Sequence, residues 1–216
     1  MSISAVQHVR YLDSLYMAVQ HASTKKAKKR PVRRSPISRT EGEQRFIAAA
    51  TELLRESPFS SVGVRDIATR ADVNQGFIHS WFGSQNGLYL RVVKELFASM
   101  HASLEQQPPD SVAINPLDPN VQFAVRLLFW LDLEGVDVNE VRPELNALMH
   151  AFTQRMITHV GLDDSTAAAI TMQGSAIGLG TAAFGHLIGA DDNTSFTHAI
   201  LVWRRQLELL AKNPPK

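Results

Sequence analysis

Apolar residues recur at steps of three and four along most of this chain, with polar residues between them, the signature of amphipathic helices. Phe46, Ile47, Ala50, Leu53 and Leu54 form one such stripe and predict a first helix that ends before Pro58. Thr40 and Glu43 precede it at capping-box spacing, the hydroxyl and the carboxylate each satisfying a free backbone N–H. A turn around Pro58 to Gly63 leads to two brief helices, roughly 64–71 and 75–82. Leu88, Tyr89, Val92, Val93, Leu96, Phe97, Met100 and Leu104 mark a longer helix that stops before Pro108-Pro109. Segments near 119–133, 138–160, 164–189 and 193–211 also have helical period, broken at Gly135, Gly161 and Gly189-Ala-Asp-Asp. Asp163 or Asp164, and Asp191 or Asp192, stand where N-caps belong. No stretch alternates like a strand, and no repeat is visible. The pattern predicts an all-α chain.

Ahead of this body, Val6, Val9, Leu12, Tyr16 and Val19 predict a short amphipathic helix over 4–21. The stretch 25–39 that follows reads as a mobile linker, because Pro31 and Pro36 block helix continuation. It carries eight basic residues, Lys25, Lys26, Lys28, Lys29, Arg30, Arg33, Arg34 and Arg39, and no acidic one. From Glu41 onward there are 13 Lys and Arg against 20 Asp and Glu, a net of −7 behind an overall charge of +1. A mildly acidic body with a basic arm implies a polyanionic partner, nucleic acid or an anionic membrane surface; a solubilising tail is the alternative.

With no cysteine in its 216 residues, the chain has no disulfide, thiolate metal site or cysteine nucleophile, which fits a reducing cytoplasm. Arg10 and Asp13 interrupt the first twenty residues, so no signal-peptide core is expected there. Ser165 to Ala190 has no charged residue and is long enough to span a bilayer. Its Ala, Gly, Thr and Ser contribute little transfer free energy, however, and Gln173 and His186 interrupt it, so it reads as a buried helix.

The stretch from Val64 to Phe82 carries the function. Ile67, Ala68 and Ala71 make the inner face of a short helix, and the small Ala68 lets a second helix cross closely. Asp72 falls where a tight turn needs a left-handed residue. Val73 fills the corner, Asn74 caps the next helix, and Ile78, Trp81 and Phe82 anchor it. Gln75, Phe77, His79 and Ser80 are left facing outward. This is a helix-turn-helix.

The run from about Gln44 to Phe97 resembles the DNA-binding domain of the TetR family of transcriptional regulators. The resemblance rests on Val64-Arg-Asp-Ile-Ala68, Ala71, Val73, Gly76, the pair Trp81-Phe82, Ser84 and Leu88-Tyr89. It implies an N-terminal extension over 1–39, a helix-turn-helix domain over 40–87 and a helical regulatory and dimerisation domain over 88–216. It also implies a homodimer whose recognition helices enter successive major grooves of operator DNA, with no cofactor. Asn74, Gln75, Phe77, His79 and Ser80 would then face DNA, with Arg65 near the backbone. Gln75 suits adenine and Phe77 a thymine methyl. Trp81 would be mainly core, its indole N–H available to a phosphate, and His79 is alternatively a solvated surface histidine.

Three positions depart from the family: Gly63 replaces a frequent capping Thr, His79 a usual Tyr, and Gln85 a usual Lys. Each of those commonly serves phosphate. The arm, with Lys28, Lys29, Arg30, Arg33 and Arg34, is expected to compensate by following the backbone or entering a minor groove.

In the remainder, the resemblance implies a dimerising helix pair over 164–189 and 193–211. Gly174, Gly178, Ala182 and Gly185 offer close approach, while Phe196, Ile200, Trp203 and Leu207 offer apolar area. Phe97, Met100, Phe123, Leu127, Trp130, Met149, Phe152 and Met156 are candidates to line a pocket for a small hydrophobic effector, or are simply core. The expected function is a repressor released from DNA by that effector. The alternatives are a regulator without one, an enzyme or a membrane-surface protein. The enzyme reading finds no His-x-x-x-His pair with an acidic third ligand, no phosphate loop and no nucleophile elbow.

Overall fold

A computed structural model describes residues 37–109, 111, 114–190 and 193–213, and from Ser38 onward they form one compact unit. The helix expected over 4–21, the arm residues Lys28, Lys29, Arg30, Arg33 and Arg34, and a cap at Asp191 or Asp192 lie outside the described residues. Every regular element among the described residues is helical.

Helix α1 spans Arg39–Glu56, and its N-cap is Ser38 rather than Thr40, with Ser38 Oγ accepting the Glu41 N–H at 3.1 Å. The start moves back because Arg39 joins the first turn and binds Glu43 at 2.6 Å, an i,i+4 pair that draws Glu43 away from a capping role. A 3-10 turn, Phe59–Ser61, precedes α2 (Val64–Ala71) and α3 (Gly76–Phe82). Helix α4 (Gln85–Gln106) follows, so the boundary expected between 87 and 88 falls inside its first turn.

Helix α5 (Pro119–Leu133) is capped by Asp118, whose carboxylate accepts the Asn120 N–H at 2.7 Å. The single helix expected over 138–160 resolves into a 3-10 turn (Val138–Val141), α6 (Arg142–Arg155) and a π turn (Met156–Val160). Pro143, lacking an N–H, is suited to the first turn of a new helix and not to the interior of a longer one. Helix α7 (Asp164–Phe184), capped by Asp163, ends in a 3-10 turn, Gly185–Leu187, where the Ala190 N–H returns to the Gly185 carbonyl at 2.8 Å. Helix α8 spans Asn193–Lys212. No described helix is long and apolar enough to cross a membrane.

The principal core runs through α1 to α6, with Phe46, Ile67, Ile78, Leu88, Tyr89, Leu104, Leu127 and Leu131 all without exposure. Burial of each such side chain contributes roughly 1.5–3 kcal/mol. A joint binds the helix-turn-helix to α5. Phe59 packs edge-on against Phe123 at 6.1 Å and Trp130 at 5.8 Å, while the Arg55 guanidinium lies 4.3 Å from the Phe123 ring centre and donates to Asn120 Oδ1 at 2.7 Å. A second tie lies at the far end of α4. Arg155 at the end of α6 donates to the carbonyls of Leu104, in the last turn of α4, and of Pro108 and Ser111 in the segment that follows.

Candidate nucleic-acid interface

Ile67, Ala68 and Ala71 turn inward from α2, and Asp66 accepts the Gly63 N–H at 3.2 Å, so the Gly63 end is held without a capping hydroxyl. Asp72 takes φ 54° and ψ 41°, the left-handed conformation that reverses the chain. The Val73 N–H then reaches back to the Ala68 carbonyl at 3.2 Å, and Asn74 Oδ1 accepts the Gly76 N–H at 2.8 Å. Helix α3 is pinned from below by Ile78, which has no exposure, and by Trp81 and Phe82, both edge-on to Phe46 at 5.8 and 6.1 Å. Gln75, Gly76, Phe77, His79 and Ser80 remain exposed.

These outward side chains are not equally available. Asn74 is committed to its cap, and Ser80 Oγ donates to the Phe77 carbonyl at 3.2 Å. His79 Nδ1 lies 3.4 Å from the Gly83 carbonyl oxygen. Trp81 is covered by Phe77, the rings stacked at 4.5 Å and 6°. Among the described residues the side chains of Gln75 and Arg65 have no hydrogen bond or ion pair within the chain, although their carbonyls accept the Ile78 N–H and the Thr69 hydroxyl.

Phosphate ligands are scarce. Residues 38–82 contain five arginines, no lysine and six carboxylates. Arg39 holds Glu43, Arg45 holds Glu41 at 2.6 Å, and Arg55 holds Asn120. Arg70 bridges Glu52 at 3.1 Å and Glu56 at 2.9 Å, a hydrogen-bonded pairing that lowers the Glu56 pKa and raises that of Arg70. Of the five, only the Arg65 guanidinium has no partner among the described residues.

Gln85 does not face outward either. Its Nε2 donates to the Val62 carbonyl and to Tyr89 Oη, both at 2.6 Å, and the Tyr89 hydroxyl donates to the same carbonyl at 3.0 Å. The start of α4 is thereby bolted to the segment entering α2, and burial pushes the Tyr89 phenol pKa up.

The model of the bacterial regulatory proteins of the tetR family matches residues 46–92, a span that contains all of this geometry. Over that span the chain is similar to the DNA-binding domain of tetR-family regulators. An HTH-type transcriptional repressor of Mycobacterium tuberculosis is 27% identical over 144 residues, 65% of this chain and 74% of that protein. Two solved structures share the fold. A TetR-family regulator of Mesorhizobium loti superposes with TM-score 0.52 at 16% identity, covering 81% of this chain and 94% of that one. Salmonella enterica GusR superposes with TM-score 0.50 at 15% identity, covering 81% and 95%.

Beyond the matched span the candidate pocket residues do not form one group. Phe97, Met100, Phe123, Leu127 and Phe152 are buried in the principal core, with Trp130 and Met149 partly buried against it. Met156 belongs to a separate cluster with Leu162, Ala167 and Leu207. Phe123 and Trp130 are engaged by Phe59. One depression of about 420 Å³ lies elsewhere, between α7 and α8, lined by Ile170, Ile177, Trp203 and Leu210 among others.

The candidate dimer residues are largely used within the chain. A β-carbon on Gly174 would lie 3.1 Å from the Trp203 ring, so α8 packs on α7 at that point. Leu207, Ala182 and Gly185 are buried, Phe196 and Ile200 half-buried, and Gly178 half-buried with open space beside it. The large apolar side chains that α7 and α8 expose are Met172, Ile177, Phe184, Leu201, Val202 and Leu209. Sequence reasoning missed these, because a helical stripe does not say which neighbour covers it. Phe59 and Arg155 were also missed, since each acts across a long sequence separation.

Proposed function

We propose that this regulator is a repressor that binds operator DNA as a homodimer, with α3 of each subunit in successive major grooves. The observation that carries the reading is α3 itself, anchored by Ile78, Trp81 and Phe82 and uncovered along Gln75 to Ser80. Gln75 reads a base edge and Arg65 meets the backbone. Asn74, His79 and Ser80 face the DNA while holding the helix in shape, and the Trp81 indole lies behind Phe77. The relative from M. tuberculosis is named as a repressor, which supports the same sign of regulation here.

With a helix-turn-helix region carrying more carboxylates than arginines, the arm supplies the phosphate contacts that dominate affinity. Dimerisation covers Met172, Ile177, Leu201, Val202 and Leu209, whose exposure on a lone chain is unfavourable. A small apolar effector entering among Phe97, Met100, Met149 and Phe152 releases DNA by preferring a dimer whose α3 spacing no longer matches the groove.

A regulator controlled without a small molecule is the second reading. It is favoured by the close engagement of Phe123 and Trp130 with Phe59, which occupies part of the candidate pocket. A specific thermal shift with a small hydrophobic molecule would exclude it.

The test is titration against a labelled fragment from upstream of the chain's own gene, with a shuffled fragment as control, over several salt concentrations. Sequence-selective binding establishes the function. Replacing Lys28, Lys29, Arg30, Arg33 and Arg34 by Gln should lower the salt slope by up to about 4.5 per half-site, at roughly 0.9 for each phosphate that is no longer neutralised. An unchanged slope removes the arm from the interface.

A further inference from the structure

Phe77 is an aromatic side chain on the open face of a helix that binds DNA, 41% exposed and fixed in place. Its ring lies flat on Trp81, 4.5 Å between centres and 6° from parallel. Trp81 meets the fully buried Phe46 edge-on at 5.8 Å. The three rings make a rigid column from the core to the surface, with Phe77 as its outer end. Gly76 beside it carries no side chain, so nothing at that position stands between the ring and an approaching groove.

Resting on the DNA-binding reading above, we propose that Phe77 is a specificity-determining residue that reads the C5 methyl group of a pyrimidine in each operator half-site. Trp81 is its positioning residue. In the major groove the C5 methyl is the apolar feature that separates thymine from the other bases, and an apolar ring is the complement it takes. The stack has already removed the ring's rotational freedom, so the contact costs little ordering. The recognised chemistry is the methyl group rather than the base, so 5-methylcytosine at that position serves as thymine does.

The test starts with selection of bound duplexes from a randomised library by the full chain. Thymines of the selected operator are then replaced one at a time by uracil, which removes only the methyl. One thymine per half-site should be sensitive, with affinity falling about four-fold for one half-site and about fifteen-fold for both, the effect of one buried methyl group each. Replacing that thymine by cytosine and then by 5-methylcytosine should recover a similar factor between the two. Phe77→Ala should bind the thymine and uracil operators equally, and Phe77→Leu should retain part of the discrimination. If Phe77 only shields Trp81, both operators lose affinity together and the thymine-to-uracil ratio survives in Phe77→Ala; that result, or no sensitive thymine, overturns the proposal. A library from which no sequence is enriched overturns the DNA-binding reading and this one with it.

Discussion

Gly87 in the first turn of α4 passes directly over the last turn of α3: a β-carbon added to it would lie 2.0 Å from the Phe82 carbonyl oxygen. No side chain fits between two backbones that close. The approach sets the angle at which α3 leaves α4, and hence the presentation of Gln75 and Phe77. Gly87→Ala should destabilise the chain by about 1–3 kcal/mol through overpacking, measured by urea denaturation, and should weaken operator binding beyond that loss. A neutral result would mean that the α3–α4 junction opens at no cost.

Gln85 stands where the resemblance to the family implies a lysine, and its amide makes an internal clamp. Gln85→Lys should lose the bonds to Val62 and Tyr89, lowering stability by about 1 kcal/mol, while raising the salt slope of DNA binding by about 0.9 per half-site. Opposite movements of stability and slope are the expected signature.

Arg155 closes the C-terminal end of α4, where carbonyl dipoles converge and a cation is stabilising. Arg155→Ala should cost about 2 kcal/mol, typical of charge-assisted hydrogen bonds. Arg155→Lys should recover only part of it, because an ammonium cannot fork to several carbonyls at once. Thermal melting of the three proteins side by side checks this.

Asp163 caps α7, and its carboxylate is held well below the ordinary range, first by the Ser165 hydroxyl and then by the Thr166 N–H. Because its folded pKa is depressed, its contribution is present above the unfolded value near 4 and is lost as pH falls toward the folded one. The melting-temperature gap between the native chain and Asp163→Ala should therefore be full at pH 7 and should narrow below about pH 4. A gap that stays constant with pH would show that the carboxylate is not the capping group.

The legibility of the helix-turn-helix has a local cause. Ile67, Ala71, Asp72, Val73, Asn74 and Ile78 lie within twelve residues of one another. Their roles as inner face, left-handed turn, cap and anchor depend on backbone geometry that propagates from one residue to the next. Even so, spacing alone misplaces the cap of α1 by two residues, because Thr40 has the right spacing but Arg39 and Glu43 prefer each other. The availability of the reading face was less visible. Only the folded chain reveals that the side chains of Ser80 and Asn74 are hydrogen-bonded to nearby backbone while those of Gln75 and Arg65 are not.

By itself the sequence determined the all-helical class, the positions of most helices, the DNA-binding motif and the uneven distribution of charge. Period, capping chemistry and composition act over a few residues and need no knowledge of the fold. Tertiary structure alone decided that Phe59 engages Phe123 and Trp130, that Trp203 lies on Gly174, that Met156 leaves the principal core, and that Gly87 touches the end of α3. Burial and close approach depend on which helix faces overlap, and overlap is settled by packing between residues far apart in the chain.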